Sequence, residues 1–181
     1  MDLGLKGKRA LVVASSKGMG KACTLGLAAE GARVTMCARS EGSLAAAATE
    51  VRRKTGAEVL AVPADASRAE DIARVVGCTL DAFGGVDILV TNVGGPPPGP
   101  FEEVPDEQWK AAFEEMHLSA VRFIRGVLPA MKKNGWGRIL GIQSSSVKQP
   151  IDGSSPRTGS APALPACSRP WPTIWPSTTS P

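Results

Sequence analysis

Tyrosine is absent from all 181 residues, and aromatic side chains make up only 4% of the chain. No phenol is available for proton transfer, and no aromatic ladder alternates with basic residues as a nucleic-acid face requires. No apolar run approaches the roughly 18 residues that a membrane helix needs. The opening Met1-Asp2-Leu3-Gly4-Leu5-Lys6 lacks the basic-then-apolar order of a secretory signal. Four cysteines, Cys23, Cys37, Cys78 and Cys167, fall at no metal-ligand or CxxC spacing. They are expected as reduced thiols in a cytoplasmic protein, with no metal bound. Charge is also modest: 21 basic against 17 acidic residues leave +4, spread along the chain, which argues against nucleic acid as a partner. What remains, 43% hydrophobic and 21% charged, is the composition of an ordinary globular domain.

Proline divides the chain in two. Residues 1–149 hold seven prolines, whereas 150–181 hold eight together with ten Ser or Thr and only three charges, Asp152, Arg157 and Arg169. Each proline removes a backbone donor and clashes with the preceding helical turn, so no helix survives that spacing. Residues 154–181 are therefore expected as a disordered Pro/Ser-rich tail, with Trp171 and Trp175 seeking apolar cover.

Residues 1–153 alternate short apolar runs with helical stretches. Strands are predicted at Arg9–Ala14, Arg33–Ala38, Glu58–Pro63, Asp87–Asn92 and Gly137–Ser144. Helices are predicted at Met19–Glu30, stopping at Gly31, and at Ser43–Thr55, closed by Gly56. A third is predicted at Arg68–Phe83, with Ser67 as its cap and Glu70 completing a capping box. One long helix runs from Asp106 to Met131, tightened near Pro129. That alternation predicts a doubly wound α/β fold: a parallel sheet in three α/β/α layers.

The first strand-to-helix turn, Ala14-Ser15-Ser16-Lys17-Gly18-Met19-Gly20, carries the most chemistry. Such a turn directs backbone N–H groups and the positive end of a helix dipole at a pyrophosphate. Gly18 and Gly20 let the main chain approach that ligand, although Ser15 stands where a further glycine is usual. After the second strand the residues are Ala38-Arg39-Ser40, with no carboxylate for ribose hydroxyls until Glu41. Arg39 and Lys17 instead suit a ribose 2′-phosphate, so NADP is expected in preference to NAD. Residues 1–153 are accordingly read as a dinucleotide-binding Rossmann domain.

Together these segments resemble the short-chain dehydrogenase/reductase family, nearest its 3-oxoacyl-[acyl-carrier-protein] reductase-like members. The resemblance spans about residues 5–153. It rests on Ala14 to Gly20, Pro63-Ala64-Asp65, Thr91-Asn92-Val93-Gly94-Gly95, Trp109, Leu128-Pro129-Ala130-Met131, Gly137-Arg138-Ile139 and Ser144-Ser145-Ser146. It implies that Asp65, beside Ala66, holds the adenine ring, and that Asn92 with Gly94 steadies the central strand next to the cofactor. Asp65 also reads as a helix cap. The implied reaction is hydride transfer between NADP(H) and a carbonyl or secondary alcohol of a small molecule. Ser144 is placed to hydrogen-bond the reacting oxygen, with Ser145 next to it. The segment Gly94 to Pro100 reads as a stiff active-site loop, with a polyproline ligand as the alternative.

The resemblance fails at the proton donor. The family's tyrosine and lysine positions fall on Arg157 and Ala161, and its helix asparagine falls on Met116. Arg157 stays protonated and is no general acid. His117 is adjacent, but it points about 100° away and reads as a partly exposed structural histidine. A reading-frame shift near Gly153 is the expected origin of the failed motif and the tail, since a shifted frame over Arg157–Pro176 accommodates a regular amphipathic helix. That frame puts serine and arginine at the tyrosine and lysine positions, so its parent also lacks the pair. On this reading the chain is C-terminally truncated or frameshifted, and its alternative function is a catalytically inactive dinucleotide-binding fragment. The family implies a homo-oligomer, but the helix expected to cover Phe113, Val121, Ile124 and Leu128 is missing. The product is then expected to be marginally stable and prone to aggregate.

Overall fold

The computed structural model describes residues 2–92 and 103–143. Gly94, Ser144, Ser145, the Gly94–Pro100 segment, Arg157, Ala161 and the tail 154–181 lie outside the described residues.

Five strands form one parallel sheet in the order β3-β2-β1-β4-β5. They are β1 (Arg9–Val12), β2 (Arg33–Ala38), β3 (Val59–Pro63), β4 (Ile88–Thr91) and β5 (Arg138–Gly141). Side chains alternate across the sheet and build two cores. Ala10, Val12, Val34, Met36, Ile88 and Val90 pack against α1 (Gly18–Ala29) and α2 (Glu41–Thr55). Leu11, Val13, Cys37, Val62 and Leu89 pack on the other face with Ile72, Val75 and Val76 of α3 (Ala69–Phe83) and Phe123, Val127 and Met131 of α5 (Ser119–Lys133). Burial on both faces explains why β1, β2 and β4 are nearly continuous apolar runs. The predicted doubly wound fold is the observed one. Among the described residues no helix is long and apolar enough to cross a membrane.

The lower end of the sheet, away from the strand C-termini, is closed by one ion pair. The Asp87 carboxylate accepts from Arg9 Nε at 2.8 Å, from Arg9 Nη2 at 2.7 Å and from the Arg9 backbone N–H at 2.9 Å. Beside it the Trp136 ring lies under two cations, Lys8 Nζ at 4.2 Å and Arg138 Cζ at 5.0 Å.

Several local expectations are corrected. Ser67 does not cap α3: Arg68 occupies the cap position without a side-chain bond, and Ser67 Oγ donates to Asp65 Oδ1 at 2.8 Å. Glu70 completes no capping box, because Arg68 takes its carboxylate at 2.8 Å. Helix α2 starts two residues early, at Glu41, since Ser40 Oγ accepts from the Ser43 N–H. The long helix is not continuous either. It consists of α4 (Asp106–Phe113), a π-helical turn (Glu114–Leu118) and α5. No glycine or proline marks that turn, so the apolar period carries no sign of it. The turn also brings His117 inside: it is 5% exposed rather than partly exposed, and meets the Phe113 ring edge-on at 5.0 Å.

β5 is the sheet's edge among the described residues, and all four of its residues are exposed. Phe113, Ile139 and Leu140 are 49%, 43% and 51% exposed, while Val121, Ile124 and Leu128 are half-buried. Apolar side chains on an open strand edge are a route to association with other chains.

Candidate functional site

The sheet reverses its winding between β1 and β4, and doubly wound folds bind ligands there, beyond the strand C-termini. The turn after β1 opens onto this crevice. Its backbone is tightly held: Ser15 is fully buried, donates its N–H to Cys37 O at 3.0 Å and accepts the Cys37 N–H on Oγ at 3.1 Å. Ser15 thus faces inward and anchors the turn to β2. Ala14 has φ +49, and its carbonyl accepts from Asn92 Nδ2 at 3.3 Å, tying the turn to the end of β4.

Gly20 closes this arrangement from below. A Cβ there would lie 2.5 Å from Ala14 O and 2.8 Å from Asn92 Nδ2, so only glycine fits. Gly18, at φ +57, has open space where its Cβ would stand. Lys17, Gly18 and Met19 are exposed, the last at 63%. Lys17 caps α1 without a side-chain bond, and no acidic residue lies in the helix's first turn. The leading amides therefore face the crevice with no carboxylate competing for them, which fits a pyrophosphate group.

A second cleft lies beside the ends of β2 and β3. It has a volume of about 280 Å³ and is lined by Arg39, Pro63, Ala64, Asp65, Arg68 and Asp71. Arg39 and Asp65, twenty-six residues apart in sequence, therefore meet in one place. Asp65 accepts from the Ser67 N–H at 2.9 Å and from Ser67 Oγ, while its own N–H donates to Asp71 Oδ2 at 2.8 Å. The Ser67 backbone bond is the main reason its carboxyl lies below the usual range, with the Arg39 charge adding to it. Asp71 is held by Arg74 at 2.6 Å. Ala66, the next residue, is half-buried.

The expected set thus divides. Ser16, Lys17, Gly18, Met19 and Gly20 lie in the turn after β1 and the start of α1, Arg39 and Asp65 line the second cleft with Ala66 next in sequence, and Asn92 is tied to the turn through Ala14. Gly94 and Ser144 are outside the described residues. Sequence reasoning missed Arg68 and Asp71, which line the cleft with Arg39 and Asp65. Nothing in the local pattern separates Arg68 and Asp71 from other surface charges at a helix start. Among the described residues no cluster of His, Cys, Asp or Glu is suited to a metal ion.

A parallel sheet with an amide-lined turn at its switch point is the architecture of the doubly wound α/β class. Residues 8–165 match the short chain dehydrogenase family, and the chain belongs to that family. It is 35% identical over 139 residues to D-beta-hydroxybutyrate dehydrogenase of Rhizobium meliloti, covering 76% of this chain and 54% of that protein. L-sorbose reductase of Gluconobacter frateurii, solved with NADPH and L-sorbose, superposes with a TM-score of 0.90 at 36% identity, over 93% of this chain and 64% of that one. A variant actinorhodin polyketide ketoreductase solved with NADPH gives 0.84 at 31% identity, over 88% and 62%. The chain spans about half the length of the curated relatives it matches.

Proposed function

We propose that this chain binds NADP(H) across the two clefts and belongs to a hydride-transferring oxidoreductase acting on a carbonyl or secondary alcohol of a small molecule. The observation that carries the reading is the meeting of Arg39 and Asp65 in one cleft beside the glycine turn. The α1 amides hold the pyrophosphate, Arg39 with Lys17 neutralises a ribose 2′-phosphate, and Asp65 accepts from the adenine amine. When bound, NADP(H) supplies or accepts the hydride. The chain's own part is to fix its orientation, and Ser144 donates a hydrogen bond to the substrate oxygen. The NADPH named with two structural relatives supports the cofactor choice. A 3-oxoacyl reductase-like subtype, a cytoplasmic setting and a homo-oligomer are parts of the same proposal.

A second reading is favoured by one observation: the chain holds no tyrosine, and the family's tyrosine and lysine positions carry Arg157 and Ala161. On that reading the protein binds the dinucleotide without turning it over. Titration with NADPH, followed by carbonyl substrates monitored at the reduced-nicotinamide absorbance band, separates the two. Consumption of NADPH supports the oxidoreductase, and binding without consumption across many carbonyls supports the silent form. Arg39→Ala is expected to weaken NADPH about tenfold and leave NADH nearly unchanged, since it removes a charge-assisted contact that only the 2′-phosphate makes. Equal loss of both coenzymes would remove the phosphate role from Arg39.

A further inference from the structure

We propose that Asp71, braced by Arg74, is a positioning residue of the cleft beside β2 and β3, fixing the Asp65 carboxylate for a purine that carries an exocyclic amine. A purine with a carbonyl at that place is turned away. The inference rests on the dinucleotide reading above and goes past it to how the cleft tells one base from another.

Asp71, in the first turn of α3, uses both of its carboxylate oxygens. Oδ2 accepts the Asp65 N–H at 2.8 Å, and Oδ1 accepts from Arg74 Nη2 at 2.6 Å. The same Arg74 nitrogen donates to the Pro63 carbonyl at 2.9 Å. One carboxylate and one guanidinium thus tie the last residue of β3 and the main chain of Asp65 to α3. Pro63, Asp65 and Asp71 all line the cleft.

The Asp65 side chain is fixed from the other direction. Its Oδ1 accepts the Ser67 N–H at 2.9 Å and Ser67 Oγ at 2.8 Å. Arg68, which also lines the cleft, is taken by Glu70 at 2.8 and 2.6 Å. Among the described residues no hydrogen-bond donor reaches Asp65 Oδ2, which is left as an acceptor. The Ser67 backbone bond holds this carboxyl below its ordinary range, so at neutral pH it is ionised and can only accept. An exocyclic amine satisfies it, and a carbonyl oxygen in the same place repels it. Any shift of the Asp65 main chain weakens the first contact and eases the second, so the preference between bases depends on Asp71.

The test is calorimetric titration of the full chain with NADPH and with its hypoxanthine analogue, in which a carbonyl replaces the adenine amine. Wild type should favour NADPH by about tenfold. Asp71→Ala should cut that preference to about two- to threefold, mainly by weakening NADPH. Asp71→Asn keeps an oxygen for the Asp65 N–H but loses the charge that holds Arg74, and Arg74→Ala leaves Asp71 unbraced. Both should fall between wild type and Asp71→Ala. The Asp71 and Arg74 side chains are 22% and 46% exposed, so these variants should fold. The preference is a ratio within one protein, and a general loss of stability leaves it unmoved. An unchanged ratio in all three variants, or one lost as fully in Asp71→Asn as in Asp71→Ala, overturns the proposal and leaves the dinucleotide reading standing. A wild type that binds the two coenzymes equally removes the contact between Asp65 and the amine, and the proposal with it. A wild type that binds neither overturns both readings.

Discussion

Gly20→Ala is expected to destabilise the protein by about 2–4 kcal/mol and to weaken NADPH binding by more than tenfold, a result that runs against helix propensity. Alanine in a helix interior normally gains about 1 kcal/mol over glycine. At Gly20 the new methyl would sit 2.5 Å from the Ala14 carbonyl, main chain already bent to φ +49, and 2.8 Å from Asn92 Nδ2. Neither neighbour is a loose side-chain end. Relief requires the turn to move away from α1, which turns the leading amides away from the phosphates and breaks the Asn92 bond. Gly26→Ala is the internal control: it lies on the same helix, and nothing stands within 4 Å of its added Cβ. That variant should melt at or above the wild-type temperature. Thermal denaturation of both, with NADPH titration of whichever remains folded, checks the contrast. If the two alanines behaved alike, the close approach at Gly20 would not be what holds the turn.

The second large effect is expected at the opposite end of the sheet. Asp87→Ala should cost about 3 kcal/mol or more, because it leaves the Arg9 guanidinium unpaired. The side chains of Arg9 and Asp87 are only 17% and 7% exposed, so water compensates poorly. For a domain of this size the loss corresponds to roughly 10 °C in Tm. Burial alone would push the Asp87 carboxyl upward, but the hydrogen bonds from the Arg9 side chain and backbone, with the charges of Arg9 and Lys8, hold it below its ordinary value. A carboxyl depressed on folding contributes fully above its unfolded value of about 3.9, and the contribution is lost as pH falls through the lower folded value. Wild type and Asp87→Ala should therefore differ in Tm near neutrality and converge in acid below that value. A gap that stays constant down to strong acid would assign the effect to lost packing instead of charge.

Fold and site were readable in the sequence to different depths. The strands stand out because doubly covered β-strands must be apolar throughout, and Leu11, Val12 and Val13 or Leu89 and Val90 can be little else. The glycine turn stands out for a related reason, since Gly18 and Gly20 punctuate a strand-to-helix junction. The π-helical turn at Glu114–Leu118 is silent in sequence. It involves one widened turn in a helix that otherwise keeps its period, and the burial of His117 follows from it. Ser67 misled because a serine before a helix reads as a cap, whereas here it serves Asp65 two residues earlier. Arg39 was legible as a lone charge after β2, but its cleft partners Asp65, Arg68 and Asp71 arrive only once β2 and β3 pair side by side.

Cys37 on β2 records how often the sheet opens. The residue is 2% exposed, its sulfur lies 3.9 Å from the Val12 carbonyl of the adjacent strand, and burial pushes its thiol up to about 12. Alkylating reagents attack thiolates, so at neutral pH this sulfur should remain unmodified while Cys23 and Cys78, which are partly accessible, react. Peptide mapping of the modified cysteines over time would then report how β1 and β2 part, with no label engineered into the chain. Prompt labelling of Cys37 in the native protein would mean that the central strands breathe far more than their packing suggests.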